Sequence, residues 1–229
     1  MRLGVVIFPG SNCDKDLIEA LEHHTGGNVV TLWHQEKDLK SCDFIFLPGG
    51  FSYGDYLRSG AIAAKSPIME RVIDFANKGG FVMGICNGFQ ILCETGLLPG
   101  ALLRNTNMRF TCSNVYLRAA NASLPLLKHY HSTEAYNIPI AHGEGRFYAD
   151  AETLKQIEEQ GQVLFRYCEA SGEISDAANP NGSLNNIAGV CNAGKNVFGM
   201  MPHPERAAFE HLFNTDGVPL FEGIRGMIA

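Results

Sequence analysis

Two short stretches of this chain concentrate reactive groups: Gly84-Ile85-Cys86-Asn87-Gly88 and Met201-Pro202-His203-Pro204-Glu205-Arg206. In the first, a thiol sits between glycines where strand-like residues 81–85 give way to helix-compatible residues 87–95. That pattern matches a nucleophile elbow, a strained turn that lifts its side chain above a sheet. A sulfur placed there lies near the amino end of a helix, which favours thiolate. In the second stretch, Pro204 keeps His203 out of helical conformation, so the segment reads as extended and Glu205 falls on the same side as His203. A carboxylate on one imidazole nitrogen leaves the other free as a base, which a cysteine nucleophile requires. Either stretch alone has a plain structural reading, a buried core cysteine or a loop histidine before a helix-start acid. Together they specify covalent acyl transfer.

Other groups compete for these roles. His142, in Ala141-His142-Gly143-Glu144-Gly145, also has a carboxylate nearby and is an alternative base, although its glycine-rich turn suits substrate contact better. His129 and His131 are two apart, but no cysteine or carboxylate cluster completes a metal set, so no metal site is expected. Cys13, Cys42, Cys93, Cys112, Cys168 and Cys191 have no chemical context, and burial is the expectation for each.

The elements that must position these groups follow a β-α-β rhythm. Residues 2–8 read as a buried strand, and Ser11 and Asn12 are placed to cap a helix over 14–24 that presents Leu17, Ile18 and Leu21 inward. Strands follow at 28–33 and 43–47, and the third ends in Pro48-Gly49-Gly50 and a glycine-rich loop reaching Gly60. A loop of this kind at the carboxyl end of a strand lets backbone amides approach a ligand. It lacks the spacing of a nucleotide phosphate loop. A helix opened by Ser66-Pro67 runs to Gly79-Gly80, before the elbow strand. Beyond Gly100 come shorter strands at 111–117, 136–141, 163–168, 187–191 and 197–200, with one clear helix over 150–160. The fold class expected is α/β, an open, mostly parallel sheet flanked by helices, in a single domain over residues 1–229.

With 229 residues, 45% of them hydrophobic, the chain suffices for one sizeable core. A net charge of −6 gives no electrostatic footprint for nucleic acid or an anionic membrane. No apolar run is long enough to span a bilayer. Seven cysteines without CxxC spacing and no export signal point to a reducing, cytoplasmic compartment.

The segment GICNGFQIL around Cys86, together with MPHPER, resembles the class I, or triad, glutamine amidotransferases, a flavodoxin-like fold family. FPGSNCDKD at 8–16, LPGGFSYGDYLRSGAIAA at 47–64, IPIAHGEG at 138–145 and NPNGSLNNIAG at 179–189 are similar to one branch of that class, the glutaminase subunits that serve purine biosynthesis. The resemblance implies that Cys86 attacks the side-chain amide of glutamine, with His203 as base and Glu205 as its orienter. It implies an oxyanion hole from the backbone N–H groups of Gly50 and Asn87, and substrate contacts from Gln90 and the His142 turn. It further implies no cofactor in this chain. Ammonia would pass to a large synthetase subunit, which uses ATP and Mg to convert formylglycinamide ribonucleotide to the amidine, within a complex that a small subunit helps assemble. Two rivals share part of this pattern. A DJ-1/PfpI-like thiol hydrolase has the elbow but does not require His203-Pro204-Glu205, and a non-catalytic scaffold subunit would not need to keep both Cys86 and His203.

Overall fold

The computed structural model describes residues 1–227. In chain order the elements are β1 (Arg2–Ile7), α1 (Asp14–Thr25), β2 (Asn28–Trp33), β3 (Phe44–Leu47), α2 (Pro67–Asn77), β4 (Phe81–Ile85), α3 (Asn87–Glu94), β5 (Ala101–Leu103) and β6 (Thr111–Ala119). They continue with β7 (Tyr136–His142), β8 (Arg146–Tyr148), α4 (Ala151–Glu159), β9 (Val163–Cys168), β10 (Ile187–Cys191), β11 (Val197–Met200) and α5 (Val218–Met227). Nine strands form one sheet in the order β2-β1-β3-β4-β11-β10-β9-β6-β7. From β2 to β11 every pairing is parallel, which is the mostly parallel core expected. From β11 outward the pairings are antiparallel and extend the sheet into a wing.

The two halves differ in burial as their pairing requires. Central parallel strands are covered on both faces, so β3 and the interior of β1 are apolar and buried residue after residue. Strand β7 alternates buried and half-buried residues, the signature of an edge strand packed on one face. The carboxyl ends of β3, β4 and β11 lie side by side, so the loops leaving them meet at one point.

Three local features depart from the sequence reading. Ser11 and Asn12 do not cap α1: its N-cap is Cys13 without a side-chain bond, and Ser11 Oγ accepts from the Phe8 N–H at 3.2 Å instead. The two-stranded ribbon β5-β8 is too short to register as a pattern. Helix α5 is hidden because Pro219, Gly223 and Gly226 depress its propensity. Packing supplies what propensity does not, since Leu220, Phe221 and Ile224 are buried, and a Cβ on Gly223 would collide with the Leu126 carbonyl.

Candidate active site

Cys86 lies between β4 and α3 with φ 50 and ψ −106, a conformation that costs a non-glycine residue on the order of 1–3 kcal/mol. The surroundings enforce it. Its N–H donates to the Met200 carbonyl at 2.8 Å, continuing the β4-β11 ladder, while its own carbonyl accepts the first helical bond of α3 from Gln90 N at 3.1 Å. Phe89, Ile91 and Leu92 are fully buried and fix the helix on the sheet. The flanking glycines are required by contact: a Cβ on Gly84 would strike the Gly88 carbonyl, and one on Gly88 would strike the Leu47 carbonyl. The elbow read from the sequence is therefore present, with Cys86 4% exposed.

His203 follows the end of β11 and donates its N–H to the Pro139 carbonyl of β7 at 2.8 Å. Its Nδ1 donates to Glu205 Oε1 at 2.6 Å, and both side chains are almost completely buried. The expected pairing forms, but not through an extended chain. Pro204 opens a single 3-10 turn over Pro204–Ala207, its fixed φ being suited to a first helical position, and the turn folds the carboxylate back onto the ring. Burial works against a charged His203, yet the Glu205 carboxylate, with Cys86 and Cys13 beside it, outweighs burial and holds the imidazole pKa well above its usual value.

Gly49 is the point where the three loops meet. A Cβ there would stand 2.6 Å from His203 Cε1, 3.2 Å from Cys13 Sγ and 3.4 Å from Cys86 Cβ. Next to it, Gly50 has φ 139, and a side chain would run into the backbone of Asn12 and Gly10. Neither the Gly50 nor the Asn87 N–H donates to an acceptor among the described residues. The Asn87 side chain ties these two donors together, since its Oδ1 accepts from Ser52 N at 3.1 Å, two residues beyond Gly50. Its Nδ2 donates to Gln90 Oε1 at 2.9 Å and to Asp55 Oδ1 at 3.3 Å.

These groups open on a cavity of about 240 Å³. Asp55, Glu144, Arg104 and Arg109 line it, so it offers charges of both signs to the ammonium and carboxylate of a free amino acid. Gln90 also lines it, although its amide is engaged at both ends, with Nε2 donating to the Glu144 carbonyl at 2.7 Å. His142 lines it too and is 3% exposed. Its ring partner is not Glu144, whose Oε2 accepts from Ser59 N at 3.3 Å, but Asn105 Oδ1 at 3.2 Å from Nδ1. Asn105 spends its Nδ2 on the Arg109 and His142 carbonyls, both at 2.9 Å, so its Oδ1 is fixed as acceptor and His142 Nδ1 must carry the proton. Burial, aided by the nearby His203, pushes the His142 pKa down to about 4. A neutral ring without a carboxylate orienter is poorly suited to be the base.

Three residues near the site went unrecognised in the sequence. Asn105, in a polar loop, carries no pattern that marks it. Arg206 donates through Nε to Asp16 Oδ2 at 3.1 Å and through Nη2 to Cys13 Sγ at 3.1 Å. Cys13 is buried as expected, but not without context, because its sulfur lies against His203. His129 stands apart from the site and faces Glu222 at 3.7 Å. Among the described residues no helix is long and apolar enough to cross a membrane.

Residues 1–216 match the CobB/CobQ-like glutamine amidotransferase domain family. The phosphoribosylformylglycinamidine synthase subunit PurQ of Thermus thermophilus is 55% identical over 229 residues, with 100% of both chains covered. The PurQ of Moorella thermoacetica is 54% identical over 224 residues, 98% of this chain and 95% of the other. Among solved structures, PurLQS from Thermotoga maritima superposes with a TM-score of 0.87 at 42% identity, covering 100% of this chain and 99% of that one. The glutaminase domain of Trypanosoma brucei CTPS, solved with bound acivicin, is 14% identical with a TM-score of 0.62 over 99% of this chain and 94% of that one, a likeness of fold alone. With its elbow cysteine and buried His-Glu pair in place, and matched from end to end by these relatives, the chain belongs to the PurQ family of glutamine amidotransferases.

Proposed function

We propose that this chain is the glutaminase subunit of phosphoribosylformylglycinamidine synthase, acting in purine biosynthesis. The observation that carries the reading is the convergence on Gly49 of Cys86 and a His203 already bonded to Glu205, in a chain that PurQ proteins match over its whole length. His203, bearing the proton of the Cys86 thiol, leaves a sulfur that attacks the amide carbon of glutamine. The tetrahedral oxyanion is received by the free N–H groups of Gly50 and Asn87. His203 then protonates the departing nitrogen, ammonia leaves, and water hydrolyses the glutamyl thioester. Asp55, Glu144 and the two arginines hold the amino acid end of the substrate, and Gln90 with His142 shapes the turn beside it.

Residues 1–229 act as one amidotransferase domain with no cofactor of its own, the last two residues lying outside the described structure. The ammonia is consumed by a large synthetase subunit that uses ATP and Mg, in a complex that includes a small assembly subunit. PurLQS from Thermotoga maritima is the relative that supports this partnership. The chain works in the cytoplasm, in line with its seven free thiols. Glutamate release, measured with and without the synthetase subunit, tests the reading: it should be weak alone, rise in the complex and vanish in Cys86→Ala. A Cys86→Ala chain as active as its parent would sink it.

A further inference from the structure

Glutamine hydrolysis through the triad gives no role to Cys13, a thiol only 4% exposed. Its sulfur, a ring nitrogen of His203 and a carboxylate oxygen of Glu205 all lie within 4.8 Å of one another. The other directions around that sulfur are already taken. Its proton has an acceptor in Asn12 Oδ1 at 3.4 Å, and Arg206 Nη2 donates to it at 3.1 Å. Arg206 is in turn held by Asp16 Oδ2, 3.1 Å from its Nε. What remains of the sulfur is the side against the imidazole.

The backbone of residue 13 is tied down as well. Its N–H donates to the Gly49 carbonyl at 3.4 Å, and Ser11 bridges to Gly50. In a trans peptide the carbonyl and the following N–H point in opposite directions, so this bond turns the Gly50 N–H away from Cys13. The sulfur therefore sits on a segment braced against the glycine loop, and it cannot drift from the ring.

His203 presents a matching vacancy. Its Nδ1 is committed to Glu205, and Nε2, in a ring 1% exposed, has no hydrogen-bond partner among the described residues. Two sulfurs act on the ring, Cys86 and Cys13, and both favour its protonated form. Cys86 lines the cavity and is tied up as a thioester during turnover, whereas Cys13 does not line it and keeps its lone pair throughout. We propose that Cys13 is a positioning residue of the glutaminase reaction: its sulfur, fixed by Arg206 and Asn12, accepts the Nε2 proton of His203 and keeps the ring aligned with Cys86. The remaining charged and titratable groups around the ring are Glu205 and Arg206 of the 3-10 turn, His142 at the end of β7 and Asp16 of α1. His142 is neutral above its pKa of about 4, and Asp16 offsets the guanidinium of Arg206.

The role assigned to Cys13 rests on the triad reading but is tested apart from it. Glutamate release by the chain assembled with its synthetase partner is measured for Cys13→Ala, which removes the acceptor, and for Cys13→Ser, which keeps one. Cys13→Ala should lose about 10–100-fold in turnover with little change in KM. The alkaline limb of its pH profile, where His203 gives up its proton, should move to lower pH, because a group that favours the charged ring is gone. Cys13→Ser should recover part of both effects. Equal losses in the two variants with an unmoved alkaline limb would reduce Cys13 to packing and overturn the proposal. Cys13→Val, which fills the space without an acceptor, takes the place of Cys13→Ala if that variant folds poorly. Separately, the His203 ring is titrated by NMR in the Cys86→Ala chain, where Cys86 contributes no sulfur. Adding Cys13→Ala to that chain should lower the midpoint, and an unchanged midpoint overturns the proposal. That readout needs no turnover, whereas the triad stands or falls on whether Cys86→Ala releases glutamate.

Discussion

His203 Nδ1 and Glu205 Oε1 lie 2.6 Å apart with only Pro204 between them in sequence. A proline is what makes so short a pairing possible, because it starts a 3-10 turn immediately after the histidine. The bond fixes the proton on Nδ1 and leaves Nε2 as the free nitrogen. Replacing Glu205 by Gln keeps the shape but removes the charge that overrides burial at His203. The turnover number for glutamate release should fall by about 10²–10⁴-fold, with a smaller change in KM. Unchanged turnover in a folded Glu205→Gln protein would remove Glu205 from the relay.

Asn87 joins the two arms of the proposed oxyanion hole through the Ser52 N–H. Asn87→Ala leaves its own backbone donor in place but unties the loop that carries Gly50. The expected loss is about 10–100-fold in turnover, because a donor displaced by a fraction of an ångström stabilises the oxyanion less. Steady-state kinetics check this, with labelling of Cys86 by a glutamine-like electrophile as a second readout: labelling should slow in parallel. Slowed turnover with unaltered labelling would place the defect after thioester formation and count against this role.

Much of this arrangement is legible in the sequence. The elbow is readable because Gly84 and Gly88 are forced by backbone contact, and backbone contact leaves a sequence trace at fixed spacing. The pairing of His203 with Glu205 is readable for the same reason, being local. What escapes is long-range: Cys13 meets His203 only because β1, β3, β4 and β11 run parallel side by side in the sheet, and Asn105 reaches His142 across 37 positions. Helix α5 escapes for another reason, since burial against α1 and the 125–127 turn overrides its proline and glycines. A side chain that acts through a partner distant in sequence has no periodicity to betray it.

The same contacts divide the glycines by cost. Gly88→Ala would drive a methyl group into the Leu47 carbonyl, which neither β3 nor α3 can move away from without losing packing. It should destabilise the fold by about 1–3 kcal/mol or more and displace Cys86. Gly96 has φ 73 and nothing within 4 Å of a Cβ, so Gly96→Ala should cost only the left-handed backbone, about 1 kcal/mol, and leave activity intact. Urea denaturation of both variants, with glutamate release, checks the contrast. Equal losses in the two would mean that conformation rather than contact governs the elbow.

His142 should make stability depend on acid. Its pKa is about 4 in the fold, against roughly 6.5 for an unfolded histidine. Between those values the unfolded chain binds a proton that the native ring does not, so stability rises with pH across this window. Lowering the pH from 6.5 toward 4 therefore withdraws stability on the order of 3 kcal/mol through this one residue. His142→Gln supplies an amide that can donate a hydrogen bond in place of the ring but does not titrate. Unfolding free energies measured at intervals between pH 6.5 and 4 should fall more steeply in the parent than in the variant, whereas carboxylates common to both contribute equally. Parallel curves would show that His142 takes up its proton as readily in the fold as in the unfolded chain, and would contradict the lowered pKa.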